Sequence, residues 1–154
     1  RYNRPIINWN GIQMKYTFTG QTKTYVGEAF DGWGGVKVRQ IKRISDGLVG
    51  GWIESKKNLA QDGDCFIYDD AVVCGDAKVY ENASVSKSAL VYDNARIYGD
   101  ARVYGNAEVC GDAVVCDGAK VYGYAMINGN VSVYGNARVS GSTIIDWQYS
   151  IILL

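Results

Sequence analysis

Histidine is missing from this chain altogether, and proline occurs once in 154 residues. Without histidine no side chain has an ordinary pKa straddling neutrality, and the commonest metal ligand is gone as well. Histidine-based general-base catalysis and histidine-ligated metal chemistry are thereby excluded, and neither a metal nor a cofactor is expected. Excess charge is also lacking: sixteen Lys and Arg against sixteen Asp and Glu leave a formal net charge of zero. No global field draws the chain to long nucleic acid or to a membrane surface. No stretch approaches the roughly 20 apolar residues of a membrane span. The opening "RYNRPIINWNGIQ" lacks the apolar centre of a secretory signal. Met14 before "KYTFTG" reads as a natural start, so residues 1–14 are expected to be an extension without order.

What the chain does have is repetition. Counting in sixes from Cys65 gives Ala71, Ala77, Ala83, Ala89, Ala95, Ala101, Ala107, Ala113, Ala119, Ala125, Val131, Ala137 and Thr143. Two residues later runs Ile67, Val73, Val79, Val85, Val91, Ile97, Val103, Val109, Val115, Val121, Ile127, Val133, Val139 and Ile145. The fourteen repeats contain no insertion, and such self-similarity marks a stacked architecture. Small-x-branched alternation has period two, so each repeat holds a strand of about four residues and a two-residue turn. The turn pairs Gly75-Asp76, Gly99-Asp100, Gly105-Asn106, Gly111-Asp112, Gly129-Asn130 and Gly135-Asn136 tolerate positive φ. Strands this short fit an all-β prism: three hexapeptides per coil, about 4.7 coils over residues 65–146. Coils then stack roughly 4.8 Å apart. Alanine faces inward near each corner and valine or isoleucine fills the middle.

Residues 15–64 do not repeat. "KYTFTGQTKTYVG" and "GGVKVRQIKRI" read as short strands between glycine-rich turns, and a solenoid end needs its strand edges covered. Residues 15–64 are therefore expected to form an N-terminal β cap, with Trp33 and Trp52 packed on it. Residues 147–154, ending in Ile151 to Leu154, are expected to cap the last coil or meet another subunit.

Outward positions eighteen residues apart fall into columns on three walls. The first wall carries Val72, Cys74, Leu90, Tyr92, Glu108, Cys110, Met126, Asn128, Ile144 and Asp146. Apolar side chains in one outward column signal a covered surface. Either another chain or the N-terminal segment covers it. The second wall carries Lys78, Tyr80, Arg96, Tyr98, Val114, Cys116, Ser132 and Tyr134. The third carries Phe66, Ser84, Arg102, Lys120 and Arg138 beside Tyr68, Ser86, Tyr104, Tyr122 and Ser140. Arg102, Lys120, Arg138, Tyr104 and Tyr122 interleave cations with aromatic rings, a combination suited to a small anion bearing a flat ring. Such side chains also simply solubilise a flat wall.

By register Cys65 points inward, while Cys74, Cys110 and Cys116 point outward with no pair eighteen apart. Cys74 and Cys110 lie two coils apart, roughly 9.6 Å. That exceeds the Cα separation of about 4.4 to 6.8 Å that a disulfide spans. Reduced thiols point to the cytoplasm of a bacterium or a phage-infected cell.

The pattern [VI]-x-[GDE]-[DN]-A-x resembles the hexapeptide-repeat family, whose fold is the left-handed parallel β-helix. "GGWIESKKNLAQDGDCFIYDDA" running into "VYGNA" repeats is similar to a bacterial and phage group that includes YdcK-like and polymer-forming proteins. The resemblance implies a homotrimer, with Val72, Leu90, Tyr92, Met126 and Ile144 as the oligomer interface. Acyltransferases of that family use a histidine, often from a loop interrupting the coils, and its carbonic anhydrases need three. This chain has neither feature, so a non-catalytic protein is expected. It would bind or sequester a nucleotide-like anion, for instance as a phage sponge for a host immune signal. A self-assembling structural module is the alternative, and an acyltransferase using a carboxylate base a second one.

Overall fold

The computed structural model describes residues 7, 10, 11, 13–27, 30, 34–147 and 150–153, the last four by backbone alone. Among them the protein is all-β, with three parallel sheets wound into a solenoid of about five coils. Every rung pairs with the rung eighteen residues on: Ser84 with Arg102, Arg102 with Lys120, Lys120 with Arg138. Except in the last pair of the second wall, the ladder is two residues wide rather than four, because the chain must turn after each hexapeptide. Backbone bonding still runs into the corners: Arg102, Tyr104 and Asn106 N–H donate to Ala119, Val121 and Gly123 carbonyls at 2.9, 3.0 and 2.7 Å. Both inward columns are buried as far as Val139, with Ala101, Val103, Ala113 and Val115 at 0 % exposure. They open only at the last coil, where Thr143 is exposed and Ile145 half-buried.

Every corner has its first residue in the left-handed region. Glycine holds many of these places, but Asp69, Glu81, Asp93 and Asp117 hold φ between 55° and 58°. Acids are tolerated there because each carboxylate finds a donor one coil on. Glu81, Asp93 and Asp117 accept from Gly99, Gly111 and Gly135 N–H at 2.8, 3.1 and 3.0 Å. A charge-assisted bond offsets the strain of positive φ.

The N-terminal region forms β1 (Tyr16–Tyr25) and β2 (Val36–Arg43), an antiparallel pair, followed by β3 (Val49–Ile53). β3 pairs antiparallel with β2 and parallel with Val72–Val73, so the first wall continues directly into the hairpin. Gly50 and Gly51 make this junction possible. A Cβ on Gly50 would stand 2.6 Å from Ile67 O, and one on Gly51 2.6 Å from Ala71 O. One half of the hairpin plugs the prism: Tyr16 and Ile41 join Ile53, Leu59 and Cys65 in the main core. Tyr16 Oη donates to Leu59 O at 2.8 Å. Buried Asn58 completes the plug, donating to Gly75 and Ala77 carbonyls and accepting from Ser55 N–H. Ile7 bridges Gln13 ahead of β1, while most of residues 1–12 lie outside the described residues. At the far end Ser150–Leu153 pairs with Ser132–Gly135 as the last rung of the second wall.

The other half of the hairpin corrects the interface expectation. Val38, Val36, Tyr25 and Phe30 pack with Val72, Cys74, Leu90, Trp52 and Tyr92 outside the first wall. Phe30 meets Tyr92 edge-on at 5.3 Å. Val72 (1 % exposed) and Leu90 (7 %) are therefore covered by their own chain and not free to line a threefold contact, and Tyr92 is partly covered. Met126 is half-buried, and Ile144 is open at 67 %. Trp33 lies outside the described residues.

Removing the Leu90 side chain empties a site inside one chain. Leu90→Ala is expected to cost about 2 to 5 kcal/mol. The loss, read from the urea midpoint, should not depend on protein concentration.

Candidate functional site

The third wall displays its outward residues in two adjacent columns. Ser84, Arg102, Lys120 and Arg138 stand in register, and Tyr104 stacks on Tyr122 at 5.0 Å with planes only 2° apart. This geometry follows from the coil: identical positions repeat at the strand spacing, close to the separation of stacked rings. The aromatic column is interrupted at Ser86, which stands between Tyr68 and Tyr104. Tyr68 and Tyr104 are thus two coils apart, roughly 9.6 Å, with one ring place unfilled. Ser84 interrupts the neighbouring column at the same level.

The gap is the floor of a groove of about 560 Å³, lined by Tyr68, Ser84, Ser86, Arg102, Tyr104 and Lys120. Asp64, Asp69, Asn82 and Lys87 form its rim. Lys87 is engaged with Asp69 at 3.8 Å, and its backbone N–H donates to the same carboxylate at 3.0 Å. Among the described residues Arg102, Lys120 and Arg138 make no ion pair. The groove therefore offers two uncommitted cations beside a slot of aromatic width. At its upper end Tyr68 meets Phe66 edge-on at 5.1 Å. Phe66, expected on the surface, is buried at 1 % exposure, with the Arg43 guanidinium 5.2 Å from its ring centre. Arg43 is held by Asp46 through bonds of 3.0 and 2.6 Å, and this pairing keeps the Asp46 carboxyl down at about 2.

Of the five ligand residues expected from the sequence, Arg102, Lys120 and Tyr104 line the groove. Tyr122 and Arg138 continue their columns one coil beyond it. Sequence reasoning passed over Ser84 and Ser86, whose smallness makes the groove. The signal was present as a break in each eighteen-residue column. Asp64 and Asp69 were not legible, because their place depends on how the first corners fold.

On the first wall Glu108 accepts a 2.5 Å hydrogen bond from Tyr92 Oη. The outward cysteines are not on the surface: Cys74, Cys110 and Cys116 are 0 %, 3 % and 8 % exposed. The hairpin covers Cys74, Tyr92 shields Cys110, and Tyr98 bonds Cys116. Burial, reinforced by nearby Glu54 and Asp93, pushes the Cys74 thiol up to about 12. Burial also raises Cys65, Cys110 and Cys116. All four are free thiols. Among the described residues no three His, Cys, Asp or Glu side chains converge as a metal site would require. No described helix is long and apolar enough to cross a membrane.

Set beside known proteins, residues 89–103, 95–111 and 133–145 match a family model described as YdcK Beta solenoid repeat. No curated protein matches the chain. The matched stretches all lie within the coils and leave the hairpin and the groove's upper rim outside them.

Raised thiol pKa values mean little thiolate near pH 8. An aromatic disulfide reagent at that pH is expected to leave Cys65, Cys74 and Cys110 unreacted in the folded protein. Cys116 should react first, and all four should react once the chain is unfolded in guanidinium.

Proposed function

From coils that are YdcK-type β-solenoid repeats, we propose a non-catalytic binding protein whose third-wall groove holds a small anionic, nucleotide-like ligand. The carrying observation is the unfilled ring place at Ser86 between Tyr68 and Tyr104. A planar ring inserted there would stand between Tyr68 and Tyr104 at the coil spacing that Tyr104 and Tyr122 already use to stack. Its anionic group then reaches Arg102 and Lys120 in the adjacent column. Asp64, Asp69, Asn82 and the two serines are placed to accept hydrogen bonds from hydroxyl or amino groups on the same ligand. Arg138, one coil below Lys120, extends the cationic strip for a longer phosphate chain.

Guanidinium and ammonium groups stay charged near neutral pH, which suits holding an anion rather than shuttling a proton. A ligand held this way is sequestered, not turned over. In a cytoplasmic, phage-encoded setting the same groove would withdraw a nucleotide signal from a host receptor.

A second reading, self-association through the lower first wall, is favoured by Ile144, Tyr124 and Trp147. These are exposed at 67 %, 70 % and 76 % on and beside that wall. Light scattering decides it. A trimeric mass that falls to monomer with Ile144→Asp supports assembly, and a monomeric wild type removes it.

For the groove, a nucleotide panel in thermal-shift format should yield a stabilising ligand. Ligand at a hundredfold over Kd stabilises by about 2.7 kcal/mol, a shift of several degrees. Arg102→Ala should weaken binding about tenfold, the size of one charge-assisted hydrogen bond. Ser86→Tyr fills the slot and should abolish binding while the protein stays folded. A flat panel overturns the reading.

A further inference from the structure

The second wall also carries a tyrosine stack, and the stack has an open end. Tyr80 lies on Tyr98 at 4.9 Å with planes 12° apart. Toward the N-terminus the next rung is supplied by residues ahead of the repeats. Leu59 bridges Val79 in parallel, and Ala60 N–H donates to Val79 O at 3.0 Å. Tyr80 N–H makes the equivalent bond to Ile97 O at 3.1 Å, so Ala60 occupies the place above Tyr80 in the column. A methyl group stands where the next ring would be. The uncovered face of Tyr80 opens into a groove of about 610 Å³, with Leu59, Ala60 and Val79 as its apolar side.

The groove's charge is of one sign. Lys56, Lys57, Lys78 and Arg96 line it, and no carboxylate does. Lys57 is committed to Asp76 at 2.6 Å, and the Asp76 carboxylate also lies within electrostatic reach of Lys78. Among the described residues Lys56, Lys78 and Arg96 make no ion pair. Lys78 and Arg96 are direct partners in the parallel ladder. Like charges at neighbouring ladder positions repel, and a bound anion removes that cost.

We propose that the head of the second wall is a binding site for a compact planar ring bearing a phosphate, stacked on Tyr80 with its dianion held by Lys78, Arg96 and Lys56. This site goes beyond the third-wall reading and does not rest on it. The two grooves differ in chemistry. Asp64 and Asp69 give the third-wall groove carboxylate acceptors for a ligand that brings donors. The second-wall groove instead has cations, apolar surface and Gln61, whose amide is already bonded to the Lys15 and Tyr16 backbone.

The test is a calorimetric titration of the full chain with phenyl phosphate, with the tyrosine ring protons followed by NMR. Expected are saturable one-to-one binding and shifts at Tyr80. Inorganic phosphate should bind at least about tenfold more weakly, because ring stacking adds about 1 to 3 kcal/mol. Tyr80→Leu should lose about tenfold for the same reason. Lys78→Gln, at an exposed position, should lose several-fold without touching the fold, and Ala60→Tyr should close the site. Ser86→Tyr, which blocks the third-wall groove, should leave this binding unchanged. Absence of saturable binding overturns the proposal. So does an affinity indifferent to Lys78→Gln, or one lost with Ser86→Tyr.

Discussion

Everything in this protein hangs on a backbone hydrogen bond made again and again between one coil and the next. Each rung donates N–H groups to carbonyls eighteen or so residues on, as Arg102 does to Ala119 and Tyr104 to Val121. No rung is stable alone, since a two-residue strand buries almost nothing by itself. Stacked, the rungs enclose a column of alanine, valine and isoleucine at essentially zero exposure. The same stacking sends equivalent outward side chains into rows at the strand spacing. Tyrosines therefore become parallel stacks and cations become ladders without any further design.

A stack of this kind has ends, and the N-terminal hairpin deals with one of them. It places Tyr16 and Ile41 over the prism and continues the first wall through β3. The remainder of the hairpin lies outside the first wall on Val72, Cys74 and Leu90. A column that reads as an intermolecular surface is thereby an intramolecular one over its upper half. Its lower half, around Ile144, stays open. Both tyrosine-bearing walls have unmatched places: non-repeating Ala60 above Tyr80, and Ser86, within the repeats, below Tyr68.

The candidate groove was partly visible before any coordinates. Arg102, Lys120 and Tyr104 could be put side by side because the period is unbroken from Cys65 onward. Ser86 could have been seen as a gap in the same way. The surroundings of Asp64, Asp69 and buried Phe66 could not, since these residues sit in the first coil, where Gly50 and Gly51 press non-repeating β3 against it. The partner of Glu108 was hidden for a related reason. Tyr92 Oη reaches it diagonally across one coil, and column counting sees only vertical neighbours.

Periodicity alone therefore decided the strand class, the eighteen-residue coil, the inward and outward faces, and the absence of any cysteine pair able to close. These are local consequences of side-chain alternation and of turns every sixth residue. The tertiary structure decided what covers the first wall, how deeply the thiols are buried, and that Ala60 stands above Tyr80. Those depend on contacts between the non-repeating segment and the coils, whose register no repeat encodes.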